Sequence, residues 1–337
     1  MTSSKRVPVT VLTGFLGAGK TTLIRSLLQR SDGRRIAVVV NEFGDLGFDA
    51  SLIEECSAGT CAPGDIVELT NGCICCTVAD DFIPTMEALL GRERPLDAIV
   101  IETSGLALPQ PLLQAFSWPA VKTRATVDGV VTVVDASALA EGRLSLHDHE
   151  EQEDPAREHD DPVEEVFEDQ LACADLVVLS KADLVAPDKL AKIEEELREE
   201  LREGVKIVRS SSADLAPSVL VGLMAAAEDD LAARHGHHGE EEEHDHDDFD
   251  SIVVKGAPAA DLASVERAVR EALAKDGVLR VKGYARVAGK AAPLVVQAVG
   301  TRVDLAYAMP GATPPEGLVV IGLKDMDQAG ARAALGG

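Results

Sequence analysis

VTVLTGFLGAGKTT, residues 9–22, is the stretch on which the fold turns. The apolar run Val9 to Thr13 reads as a strand, and the pattern from Lys20 to Arg30 reads as an amphipathic helix. Between them, Gly14-Phe15-Leu16-Gly17-Ala18-Gly19-Lys20-Thr21 fits G-x-x-x-x-G-K-[ST], a phosphate-binding loop in the context that the motif requires. Its glycines let backbone N–H groups curl around phosphates, and the following helix aims its positive end at them. The expected nucleotide-binding residues here are Gly14, Gly17, Ala18, Gly19, Lys20, Thr21 and Thr22. Lys20 is expected on the β and γ phosphates as a catalytic cation, and the Thr21 hydroxyl on Mg²⁺.

Outward from this loop, short β-branched runs alternate with helical patterns, the sequence form of βαβ units and a mostly parallel sheet. Strands are predicted over 36–40, 66–69, 98–103, 129–134, 176–179 and 206–208. Helices are predicted over 81–90, 162–173, 187–202 and 216–233. Residues 41–65 have no clear period, and a structureless stretch of that length inside a compact domain is usually functional. A second pattern follows residue 250, with strands over 251–255, 278–284, 294–299 and 318–323 and helices over 262–274 and from Asp327. The fold class is therefore α/β, with a nucleotide-binding domain over 1–234, a His- and acid-rich linker over 235–250, and a small α+β domain over 251–337.

Two further elements fit the nucleotide reading. The strand Ile99-Val100-Ile101 ends in Glu102-Thr103-Ser104-Gly105, which puts Glu102 at the carboxyl edge of the sheet as a second Mg²⁺ element or as the orienter of the attacking water. Gly105 would let the loop follow the γ-phosphate. Ser180-Lys181-Ala182-Asp183 follows the strand over 176–179. There Asp183 would accept from guanine N1–H and the 2-amino group, and the Lys181 stem would pack over the ring. GTP is thereby favoured over ATP. Ser180 stands where such an element usually has Asn, which bears on guanine selectivity.

The cysteines point to a different chemistry. Five of six (Cys56, Cys61, Cys73, Cys75 and Cys76) fall close together in a chain with ample core, a density that indicates metal or redox chemistry rather than a disulfide framework. In Gly72-Cys73-Ile74-Cys75-Cys76, thiols at alternate positions of an extended segment point one way, so Cys73 and Cys75 can converge on one ion, with Cys76 joining if the backbone turns. Buried cysteines or a redox pair are the alternatives, and the histidines on the same chain, rich in metal affinity, favour metal. Cys173, on an amphipathic pattern, reads as a small buried hydrophobe.

The chain has 337 residues, 58 acidic against 32 basic, and a net charge of -26. Such a field repels a nucleic-acid backbone. Residues 147–161 and 235–248 carry -14 of that charge, and all eight histidines fall in the same two tracts. His235, His237, His238, His244 and His246 alternate with carboxylates in the second, which suits weak collection of divalent metal ions. No uncharged stretch reaches the length of a membrane span, so the expected location is the cytoplasm.

Taken together, GFLGAGKTT, NEFG at 41–44, ELTNGCICC at 68–76, ETSG at 102–105 and KAD at 181–183 resemble the CobW family of P-loop GTPases, proposed metallochaperones. The resemblance spans nearly the whole chain, and the cobalamin-biosynthesis branch of the family is the most similar. It implies Mg²⁺-dependent GTP hydrolysis coupled to delivery of Co²⁺, with Zn²⁺ as the alternative cargo, to a client metalloprotein or a cobaltochelatase subunit. It also implies that Cys73 and Cys75, with Cys76, hold the cargo, and that Glu42 or Asp49 senses Mg²⁺ and the γ-phosphate. Two readings compete with it: a metal-storage module without nucleotide gating, and an ATP-dependent small-molecule kinase, against which Asp183 argues.

Overall fold

The computed structural model describes residues 6–31, 33–41, 66–69, 82–144, 162–211, 215–234, 249–300, 302–308 and 317–337. These fall into two compact units, whose described residues run from 6 to 234 and from 249 to 337.

Among the described residues the first unit is built on seven strands: β1 (Val7–Thr13), β2 (Ile36–Asn41), β3 (Ile66–Leu69), β4 (Ala98–Glu102), β5 (Ala125–Asp135), β6 (Leu176–Ser180) and β7 (Lys206–Arg209). They form one sheet in the order β3-β2-β4-β1-β5-β6-β7, and every pairing is parallel. A parallel sheet is covered on both faces, so its strands are apolar throughout rather than alternating. Val9, Val11, Leu12, Ile99, Val100 and Ile101 accordingly are all buried. The covering helices are α1 (Lys20–Gln29), α2 (Ile83–Leu90), α3 (Pro109–Ala115), α4 (Pro119–Lys122), α5 (Ala136–Ala140), α6 (Pro162–Ala172), α7 (Pro187–Glu200) and α8 (Pro217–Leu220). Proline opens α3, α4, α7 and α8, at the position where its missing N–H costs nothing. On one face Phe82 and Phe116 meet edge to face at 5.4 Å within the core formed by Val9, Val11, Ile99 and Ile101.

The expected helix over 216–233 is not there. Only Pro217–Leu220 is α-helical, and two short 3₁₀ turns follow at Ala227–Asp229 and Leu231–Ala233. The cause is Asp128. Its buried carboxylate accepts from the backbone N–H groups of Gly222, Leu223 (3.0 Å) and Met224 (3.0 Å), which removes them from any helical ladder. Met224 and Ala226 adopt positive φ beside it. Helices α3, α4 and α5 form where no helix is predicted, and β5 is longer than the expected 129–134.

The second unit is a five-stranded sheet, β8 (Phe249–Val254), β9 (Val278–Ala285), β10 (Leu294–Val299), β11 (Arg302–Tyr307) and β12 (Gly317–Leu323), in the order β11-β10-β9-β12-β8 and antiparallel throughout. Helices α9 (Leu262–Leu273) and α10 (Gln328–Ala334) pack their apolar sides on it. Val265, Val269, Ala272 and Ala331 meet Val254, Val281, Val296 and Val320 in one core. Asp261 caps α9 by accepting from Ser264 N–H at 2.8 Å. Strand β11 is an addition to the sequence reading.

Candidate functional site: the carboxyl edge of the parallel sheet

Strand β1 lies between β4 and β5, so the loop that leaves it at Gly14 is flanked by the ends of both neighbours. Gly14 must be glycine on two counts. Its φ is 129°, and a Cβ there would stand 2.2 Å from the Val133 carbonyl oxygen on β5. Gly17 and Gly19 also have positive φ. Lys20 opens α1, is buried, and donates from Nζ to the carbonyls of Gly14 at 2.5 Å and Phe15 at 3.3 Å. The loop thus wraps its own lysine, the arrangement expected of a phosphate cradle.

One residue on, the Thr21 hydroxyl donates to Glu102 Oε1 at 2.8 Å, which joins the first turn of α1 to the end of β4. Glu102 is buried. The turn after it is pinned to β1: Thr103 N–H donates to Leu12 O at 3.0 Å and its hydroxyl to Thr13 Oγ1 at 3.0 Å. Gly105 then touches the phosphate loop. A Cβ there would lie 2.5 Å from Leu16 Cδ2 and 2.8 Å from Leu16 N, so glycine is what lets the two loops approach. Gln170 on α6 donates to the carbonyls of Gly105 and Ala107, each at 3.2 Å, and supports the loop from beneath.

On the other side, the Ser180 hydroxyl reaches Ala18 O at 2.7 Å and Val134 O at 3.1 Å, and Lys181 Nζ donates to Gly17 O at 2.8 Å. The Ser-Lys pair therefore ties the end of β6 to two consecutive carbonyls of the phosphate loop. Asp183 is exposed beside it. Lys181 Nζ also pairs with Asp135, the last residue of β5. Burial works against ionisation of Asp135, but the Lys181 ammonium and the donors Ser137 and Ala138 hold its carboxyl below the ordinary carboxylate value.

The structure thus gathers Gly14, Gly17, Ala18, Gly19, Lys20, Thr21, Glu102, Ser180, Lys181 and Asp183 at one edge of the sheet; Thr22, exposed, follows Thr21 in α1. The site residues the sequence reading missed are Asp135, Gln170 and the Thr13–Thr103 pair. Asp135 carried a readable signal, an Asp before Ala-Ser-Ala at the end of an apolar strand, which is a helix-cap pattern; it caps α5 through Ser137 N–H (2.9 Å) and Ala138 N–H (3.2 Å). Gln170 carried none.

Glu42, Asp49, Cys56, Cys61, Cys73, Cys75, Cys76, His235, His237, His238, His244 and His246 lie outside the described residues. Among the described residues there is no group of three or more His, Cys, Asp or Glu placed to hold a metal ion, and no helix is long and apolar enough to cross a membrane. Cys173 is fully buried, and burial pushes its thiol up to about 12.

Comparison with known proteins matches residues 8–209 to the CobW/HypB/UreG nucleotide-binding domain, and residues 249–337 to the cobalamin synthesis protein cobW C-terminal domain. A protein of Sinorhizobium described as zinc chaperone CobW is 50% identical over 342 residues, covering 98% of this chain and 96% of that one. Its namesake in Pseudomonas aeruginosa is 46% identical over 344 residues, covering 98% and 90%. The crystal structure of Zn(II)-bound YjiA GTPase from E. coli superposes with a TM-score of 0.45 at 24% identity, covering 98% of each chain.

Proposed function

The chain belongs to the CobW family of P-loop GTPase metallochaperones and hydrolyses GTP, and from that premise we propose that Mg-GTP sets its affinity for a thiolate-bound Zn²⁺ ion that it hands to a client protein. Support comes from two sides. Relatives alike over nearly the full length carry the description zinc chaperone, and the C-x-C-C of residues 73–76 offers soft ligands, for which Zn²⁺ outcompetes Co²⁺ at equal concentration. Cobalt delivery to a cobaltochelatase for cobalamin synthesis is the second reading. The match of residues 249–337 to a domain described by cobalamin synthesis favours it.

In this reading Lys20 neutralises the transferring phosphoryl group, and Asp183 and Lys181 read the guanine. Thr21 Oγ1 and the Glu102 carboxylate, 2.8 Å apart, are hard oxygen donors of the kind that suit Mg²⁺. Mg²⁺ bound there would neutralise charge on the β and γ phosphates. Glu102 orients the attacking water, or the water shell of the ion, from its fixed place at the end of β4. The His-rich tract 235–248 collects ions weakly, and Cys73 and Cys75, with Cys76, hold one tightly.

The observation that carries the proposal is the Thr21–Glu102 bond with Gly105 seated on Leu16. Together they place the loop after β4 against the phosphate loop, where loss of a γ-phosphate would be felt. The test is competitive titration of the full chain with Zn²⁺ and Co²⁺ in Mg-GTP, repeated with Cys73→Ser/Cys75→Ser. Tight binding that survives the double substitution contradicts the ligand assignment.

A further inference from the structure

Asp135 does more than cap a helix. Its Oδ1 accepts from Ser137 N–H, Ser137 Oγ and Ala138 N–H, which accounts for the cap, while its Oδ2 accepts from Lys181 Nζ. A cap needs only one acceptor oxygen and no charge, since Ser or Asn serves as well. The second oxygen is therefore spent on Lys181 alone. Lys181 in turn has a left-handed backbone (φ 52°, ψ 30°), which a residue with a Cβ holds only where its surroundings fix it. Its Nζ spans from Asp135 to Gly17 O, and its neighbour Ser180, paired in register with Asp135, holds Ala18 O. Two consecutive peptide planes of the phosphate loop, Gly17–Ala18 and Ala18–Gly19, are thus held from outside by a pair of residues that Asp135 anchors.

We propose that Asp135 is a positioning residue for nucleotide recognition, fixing Lys181 so that the phosphate loop and the turn at 180–183 keep one spacing. This rests on the reading of 180–183 as the guanine-reading turn. It assigns Asp135 no contact with the nucleotide.

The test is titration of the full chain with a fluorescent GDP analogue, together with KM and kcat for GTP and the melting temperature. Asp135→Asn keeps an acceptor for the cap and replaces Oδ2 with a donor that Lys181 cannot use. Asp135→Ser caps but cannot reach Lys181. Both variants are expected to weaken GDP and GTP alike by at least about tenfold, typical of breaking a buried charge pair, with KM rising by more than kcat falls. Combining either with Lys181→Met should add little to Lys181→Met alone, because both remove one interaction. Ser137→Ala, which removes only the hydroxyl bond to Asp135 Oδ1 and keeps the backbone cap and the Lys181 pair, should lower the melting temperature without moving the GDP affinity. Asp183→Asn should shift preference from GDP to xanthosine diphosphate, because an amide donates where the carboxylate accepted. If that shift occurs and either Asp135 variant that folds binds GDP as tightly as the wild type, the inference fails while the base-reading assignment stands. If Asp183→Asn retains the preference for GDP, that assignment fails and takes the inference with it.

Discussion

The Thr21 hydroxyl donates to the Glu102 carboxylate at 2.8 Å across the gap between the first turn of α1 and the end of β4. This bond joins the helix that follows the Gly14–Thr21 loop to the strand that leads into the 103–108 loop. Glu102→Gln keeps an oxygen for Thr21 and removes the charge. Phosphate release from GTP should fall by roughly 10²- to 10⁴-fold, the usual contribution of a positioned acid–base group, while GDP affinity changes little. Parallel phosphate-release and GDP-binding assays check this, and equal losses in both would mean that Glu102 serves binding alone.

Gly105 sits so close to Leu16 that any side chain must separate the loops. Gly105→Ala should cut GTP turnover at least about tenfold, since small displacements of positioned groups are costly. The melting temperature should move by only a few degrees, as the contact is confined to two loops. Turnover at the wild-type rate would show that the two loops work independently.

Arg234 is buried and pairs with both oxygens of Asp175 (2.7 and 3.0 Å), while Gln110 donates to its carbonyl at 2.7 Å. Removing Arg234 takes away its two hydrogen bonds to Asp175, which keeps Arg202 at 3.2 Å as a second cation. Arg234→Met should therefore destabilise the first unit by about 1.5–3 kcal/mol, the scale of a lost hydrogen bond to a charged group, measured by denaturant unfolding. A loss below about 1 kcal/mol would mean that solvent reaches Asp175 freely.

Cys173 gives a pH dependence of known sign. Its thiol is pushed up to about 12 from an ordinary 9.0, chiefly by burial and then by the Asp169 carboxylate. The folded state therefore holds this proton more tightly than the unfolded chain. The stability it contributes is fully present below pH 9 and declines as the pH rises from 9 towards 12. Cys173→Ala should flatten that decline in melting temperature, and in the native wild type Cys173 should resist alkylation at pH 8.

Much of this site was legible because its motifs encode backbone requirements that depend on few neighbours. A strand feeding GFLGAGKT, a strand ending in Glu102, and SKAD after a third strand each fix a local conformation, and β-sheet order then brings them to one edge. What could not be read depends on side chains that meet across the fold. The apolar spacing over 216–233 suits a helix, and only the Asp128 carboxylate, distant in sequence, captures the N–H groups that would have formed it. Gln170 lies on an ordinary amphipathic helix, and nothing local marks it as the support for Gly105. Strand β11 escaped because Arg302 and Asp304 break the apolar run, although Val303 and Leu305 alternate towards the core.

The central claim is that the nucleotide gates the metal, and one measurement tests it most directly: Zn²⁺ and Co²⁺ affinity of the full chain with a non-hydrolysable Mg-GTP analogue and with Mg-GDP, together with nucleotide affinity with and without metal. Coupled sites should differ by about 5- to 150-fold between the two nucleotides, and metal should tighten the GTP analogue by the same factor. Cys73→Ser/Cys75→Ser should erase both effects while sparing nucleotide binding. Equal metal affinity in the two nucleotide states would contradict gating and leave a metal-storage protein in its place.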